Sequence, residues 1–159
     1  MRDVSQTYLD NLCLYYEEEI EGEAYFRALA KRFDNPDHKV KLGLLADVER
    51  HAATSVAPLI KAYRLSPRAK AKLVASGIAE ADNTPVDWAA LCDDMRRTYP
   101  GYVRAFQELE RIGPERDQPR LAFLTEHEVA AIKFLEAETT SASESAAPLV
   151  AYLAAQPVS

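Results

Sequence analysis

Apolar positions recur along this chain at three- and four-residue steps, the period of an α-helix, and the alternating β-branched runs that mark strands are missing. A first stripe reads Val4, Tyr8, Leu12, Tyr15, Gly22, Tyr25, Phe26, Leu29 and Phe33 and predicts a helix over residues 4–33. The segment DNPD breaks it, and Pro36 suits the first turn of a second helix over 36–63. Pro58 inside that helix should kink it or end its regular part. Ser66 as N-cap and Pro67 in the first turn predict a short helix that closes before Asp82. A third long helix is expected over 85–112, divided into two pieces at Pro100 and Gly101. A fourth spans 117–139, a bend follows over 139–145, and a short terminal helix covers 145–156.

The pattern predicts one all-α domain over 1–159, a four-helix bundle with short accessory helices. The link between the second and third long helices carries its own helix and is long enough to cross over the bundle. Short internal echoes pair the two halves. Tyr25 to Leu29 resembles Tyr102 to Phe106. Leu45, Glu49 and Ala52 share the spacing of Leu124, Glu128 and Ala131. Ala57 to Tyr63 resembles Ala147 to Tyr152.

Composition narrows the function. Of 159 residues, 48% are hydrophobic and 28% charged, which is globular composition. Lys and Arg total 19 against 25 Asp and Glu, and the net charge of −6 argues against a nucleic-acid binder. Cys13 and Cys92 form no zinc motif and read as core thiols. No apolar leader and no run of about 18 apolar residues is present, so a cytoplasmic protein with no membrane partner is expected.

The informative feature is acid inside apolar stripes. Glu18 and Glu19 fall in the middle of the first stripe. Glu49 completes the stripe Leu42, Leu45, Ala52, Val56 and Ile60. Glu128 centres the stripe Leu121, Leu124, Ala131 and Leu135. Three helices thus aim a carboxylate at the interior at similar heights. A buried carboxylate is protonated, paired with a cation or bound to a metal. The third long helix offers Met95 at the corresponding place.

With Glu18 seven residues before Tyr25, and with Glu49 and Glu128 on the second and fourth long helices, the chain resembles the ferritin-like superfamily of di-iron carboxylate proteins. That resemblance implies a ferritin-like four-helix bundle with a carboxylate metal centre. The family's Glu-x-x-His motifs are absent, because Ala52 and Ala131 stand where the histidines belong. His51 and His127 lie beside those positions, where a π-bulge would be needed to turn either inward. The implied ligand set is Glu18, Glu49, Glu128 and His51 or His127, with Tyr25 and Tyr102 behind them. It would hold one or two Fe or Mn ions in a metal-dependent oxidoreductase acting on a small molecule or an oxygen species. Convergence of the carboxylates to within about 5 Å beside a histidine would mark such a site.

The alternative is a bundle without metal that binds, scaffolds or interacts. Its glutamates would be protonated or paired with Arg27, Arg104 or Lys133, and His127 would be solvated or charge-paired. Leu9, Leu12, Tyr15, Tyr16 and Ile20 cover more than one face of the first helix, which suggests a homodimer under either reading.

Overall fold

The computed structural model describes residues 4–157. Among them there is no strand, and six α-helices account for most of the chain. The four long ones are α1 (Gln6–Arg32), α2 (Pro36–Ala62), α4 (Trp88–Ile112) and α5 (Gln118–Thr140). The short ones are α3 (Lys70–Asp82) and α6 (Ala147–Ala154). Local chemistry sets the starts. Ser5 Oγ accepts the Tyr8 amide, Asn35 Oδ1 accepts the amide of Asp37, and Asp87 Oδ1 accepts the Ala90 amide. Each is a short oxygen side chain satisfying an N–H that the first helical turn leaves free.

Contacts at the two ends give the directions. At one end, Asp117, just before α5, accepts hydrogen bonds from Tyr8 of α1 at 2.8 Å and from Tyr63 just after α2 at 2.6 Å. At the other end, Trp88 opens α4. It stacks on His38 at the start of α2 and lies edge-on to Phe33 after α1. Its Nε1 donates to Glu138 near the end of α5. Helices α1 and α5 therefore run one way, and α2 and α4 the other. Because α2 and α4 run alike, the chain between them must travel the full length of the molecule, and α3 is that crossover.

α3 lies along α1 with Gly77 at the crossing. A Cβ there would stand 2.4 Å from the Glu21 carbonyl oxygen, so only glycine lets the two backbones approach. Part of the apolar surface of α1 that prompts the expectation of a dimer is thus used within the chain. α3 covers one face, and Tyr15 lies edge-on to Phe106 of α4 on another.

Three expectations about the backbone need correction. α4 runs unbroken through Pro100 and Gly101, and α2 runs unbroken through Pro58. Both rings face solvent, where water can take the carbonyl each proline leaves unbonded. The crossover helix starts at Lys70 rather than beside Ser66. The Glu17 carboxylate binds the Arg68 amide at 2.8 Å and its guanidinium at 3.0 Å, which holds this stretch out of the helix. Among the described residues no helix is long and apolar enough to cross a membrane.

Candidate metal centre

Four ionisable side chains meet in the middle of the apolar core. His127 of α5 is 1% exposed, and its Nδ1 is hydrogen-bonded to the Leu124 carbonyl one turn back. A carbonyl only accepts, so Nδ1 carries the proton. Nε2 then faces Glu19 Oε1 of α1 at 2.8 Å, Glu128 Oε1 of α5 at 3.0 Å and Glu49 Oε2 of α2 at 3.1 Å. Neither His127 Nε2 nor Glu19 Oε1 has a hydrogen-bond partner, although both are buried.

The electrostatics express the same conflict. Burial pushes Glu49 up to about 8, and the nearby Glu19 carboxylate adds to the rise. Burial likewise raises Glu19 and Glu128, against the opposing pull of His127. Burial alone would pull His127 down, but Glu19 and Glu128 outweigh it and hold it well above its ordinary value. Three carboxylates facing one imidazole leave an excess of negative charge in a low-dielectric core, which protons or a cation must offset.

The donor set fits a cation. Two donors at right angles on an ion with bonds of about 2.1 Å stand about 3.0 Å apart, which matches the separations at Nε2. Donor atoms of Glu19, Glu49 and His127 lie within 4.8 Å of one another. Oxygen donors with one imidazole suit Fe or Mn and lack the thiolates of a structural zinc site.

Gly22 makes room for this arrangement. A Cβ at Gly22 would lie 2.0 Å from Glu49 Oε1 and 3.0 Å from its Cδ, so the carboxylate rests in the notch that the missing side chain leaves. Gly22→Ala is therefore expected to keep the fold, with a gain of up to about 1 kcal/mol from helix propensity. The same change should weaken Mn²⁺ binding at least about tenfold, since 1.4 kcal/mol of displacement suffices for that. Thermal melts beside Mn²⁺ titrations check both halves. An alanine variant that binds Mn²⁺ as the parent does would mean that Glu49 is not a ligand.

A cavity of about 250 Å³ opens from the cluster toward solvent between α1, α3 and α4. Glu19, Glu128, Phe26, Met95 and Phe106 line its buried end, and Glu18, Glu80, Asp94 and Tyr102 its exposed rim. The wall between them includes Tyr25 and Tyr99.

The structure brings together Glu49, His127 and Glu128 of the residues proposed from sequence, and not the rest. Glu18 is exposed at the rim, and the α1 residue in the cluster is its neighbour Glu19. The spacing of Glu18 to Tyr25 therefore does not mark the buried acid. His51, two residues past Glu49 and about 200° around the helix, faces away. It lies 2.8 Å from the Ala155 carbonyl and edge-on to Phe123 and Tyr152, where it helps dock α6. His127 needs no π-bulge, because α5 is regular. Tyr25 bonds to Thr84 at 3.1 Å and Tyr102 is 48% exposed; both line the cavity and neither is hydrogen-bonded to a cluster residue. Arg27 pairs with Glu23 and Asp47, not with the buried acids. No protein-family model matches the chain, and neither a curated protein nor a solved structure matches it.

Proposed function

We propose that this chain is a ferritin-like four-helix bundle that holds Fe or Mn between Glu19, Glu49, His127 and Glu128. The reaction class that follows is oxidation of a small molecule or an oxygen species in the adjoining cavity. One observation carries the reading: carboxylate oxygens from three helices stand within 3.1 Å of one buried imidazole nitrogen. The direction of the four long helices, with one crossover along the whole molecule, is the connectivity of ferritin-like folds. α4 contributes Met95 where that family places a carboxylate, which favours one ion over two.

A bound Fe or Mn supplies redox and Lewis-acid chemistry at the inner end of the cavity. The protein's own part is positional. The Leu124 carbonyl fixes the His127 tautomer, so that Nε2 presents a lone pair once its proton is displaced. The notch at Gly22 seats Glu49. Phe26, Met95 and Phe106 keep the buried end of the cavity apolar around the acids.

A second reading is a metal-free bundle with a binding role, in which protons take the place of the cation. The raised Glu49 favours it, since a carboxyl near 8 is neutral at physiological pH. Metal analysis separates the two. Protein made in Fe- and Mn-supplemented medium is expected to carry about one ion per chain, in line with a single four-donor cluster. Glu19→Ala and His127→Ala should lose it, while His51→Ala and Glu18→Ala keep it. An empty parent that refuses added Mn²⁺ would establish the metal-free bundle.

A further inference from the structure

The cavity beside the cluster has a chemistry of its own. Seven of its fifteen lining residues are acidic, and none is Lys, Arg or His. Two rim acids already have partners. Glu21 lies 3.6 Å from Arg68, and Asp94 is paired with Arg97. Glu18 and Glu80 have no cationic partner among the described residues. At the inner end Glu19 Oε1, in a residue 3% exposed, is unpartnered as well. Acid without a well-aligned hydrogen bond therefore stands at both ends of one small chamber.

The walls between are aromatic. Tyr25, Tyr99, Tyr102, Phe26 and Phe106 all line the space, and the rings of Tyr99 and Tyr102 lie 5.6 Å apart. Aromatic faces attract cations, most strongly those poorly hydrated enough to leave water. An inorganic ion is best served by oxygen donors alone and would gain little from the rings. Anions are repelled from the rim inward. The volume of about 250 Å³ falls below the range of drug-sized ligands and limits the occupant to a small molecule.

From this we infer that the cavity takes a small organic ammonium ion, with the charged nitrogen between Glu18 and Glu80 and the carbon chain against the phenol rings. The inference rests on the metal centre for its meaning as substrate recognition, since the chain's far end would lie toward Glu19 and Glu128. Tyr25 is held in the wall by Thr84, whose hydroxyl also bonds the Glu80 carbonyl at 2.9 Å, so α3 and α1 present ring and acid as one surface.

The test is calorimetric titration of Mn²⁺-loaded protein with n-butylammonium, 1-butanol and butyrate at constant ionic strength, beside Glu18→Gln and Glu80→Gln. Butylammonium should bind at least about tenfold more tightly than butanol, the factor that 1.4 kcal/mol of preference gives. Butyrate should not bind. Each glutamine variant should weaken butylammonium at least about fivefold and leave Mn²⁺ content at the parent level. Equal affinity for butylammonium and butanol, or butylammonium binding that both variants leave intact, would overturn the inference while the metal centre stands. The converse is equally readable. A parent that retains no Mn²⁺, yet in metal-free form binds butylammonium through Glu18 and Glu80, would remove the metal centre and leave an amine-binding cavity.

Discussion

Raising the pH from about 5 to about 8 is expected to destabilise the metal-free protein by several kcal/mol, and Glu49→Gln should reduce that loss while Glu19, Glu128 and His127 account for the rest. Glu49 rises from an ordinary 4.5 to about 8 because the core disfavours its charge. Between those values the folded state holds a proton that the unfolded chain has released, so stability must fall as pH rises. At about 1.4 kcal/mol per unit, the full interval corresponds to as much as about 5 kcal/mol. His127 acts in the same sense. Its folded value lies above its ordinary one, so its contribution is present below 6.5 and is lost as pH climbs through the folded value. Mn²⁺ should reverse the slope, because metal displaces protons from its ligands and binds better as they ionise. Urea unfolding at four pH values, with EDTA and with Mn²⁺, measures all of this. A Glu49→Gln variant with the slope of the parent would show that Glu49 is not the group responsible.

The second large effect lies at the far end of the molecule and has nothing to do with metal. Glu138 of α5 accepts from Lys41 of α2, from Ser145 and from Trp88 Nε1 at 2.9 Å. The Lys41 and Glu138 side chains are only 4% and 7% exposed. Burial pushes Glu138 up, yet the hydrogen bonds from Lys41, Ser145 and Trp88 outweigh it and hold the group below its ordinary value. Removing Glu138 leaves the buried Lys41 ammonium with Asp37 alone as counter-ion, at 2.8 Å, and orphans the Trp88 N–H, so Glu138→Ala is expected to cost about 2–3 kcal/mol. For a chain of this size that lowers the melting temperature by about 10 °C. Lys41→Met combined with Glu138→Gln should recover roughly half the loss, since the double change removes both buried charges and glutamine can still accept from Trp88. The linkage has the opposite sign to that at Glu49. The stabilisation from Glu138 is present above pH 4.5 and is lost as pH falls through the lowered folded value. A single variant that melts with the parent would mean that the pair is solvated and worth no more than a surface ion pair.

Much of this was legible in the residues. The break at DNPD, Pro36 in a first turn and the apolar stripes locate the long helices to within a few residues, because those signals are local. The crossover was legible too, since a helix-bearing link cannot be a tight turn. What escaped was the rotation of α1 and the full burial of α5. Alternating steps of four and three pass through Tyr8, Leu12, Tyr15, Glu19, Gly22, Phe26, Leu29 and Phe33, which selects Glu19 and leaves Glu18 one step outside. The stripe drawn with both Tyr25 and Phe26 blurs that choice.

His127 was named from the sequence, but the π-bulge expected to turn it inward proved unnecessary, for a different reason. Phe123, His127, Ala130 and Phe134 form a second buried stripe on α5, beside that of Leu124, Glu128 and Ala131. A helix with two apolar faces is covered on more than one side. Here α2, α4 and α6 do the covering. A histidine in the second stripe could therefore have been read as buried. His51 showed the same ambiguity with the opposite result, because α6 reaches α2 through contacts that no local pattern encodes.

The notch at Gly22 also bears on how such a protein can change over generations. Glycine and alanine codons differ by a single base, and the alanine form is the better helix former. Selection for the fold alone would favour the exchange, and only a need for the seated Glu49 opposes it. A lineage released from that need has a one-step, downhill exit to an empty bundle, and a return would have to be made against the gain in stability. On the proposed metal reading, position 22 is thus where loss of the centre would first be written.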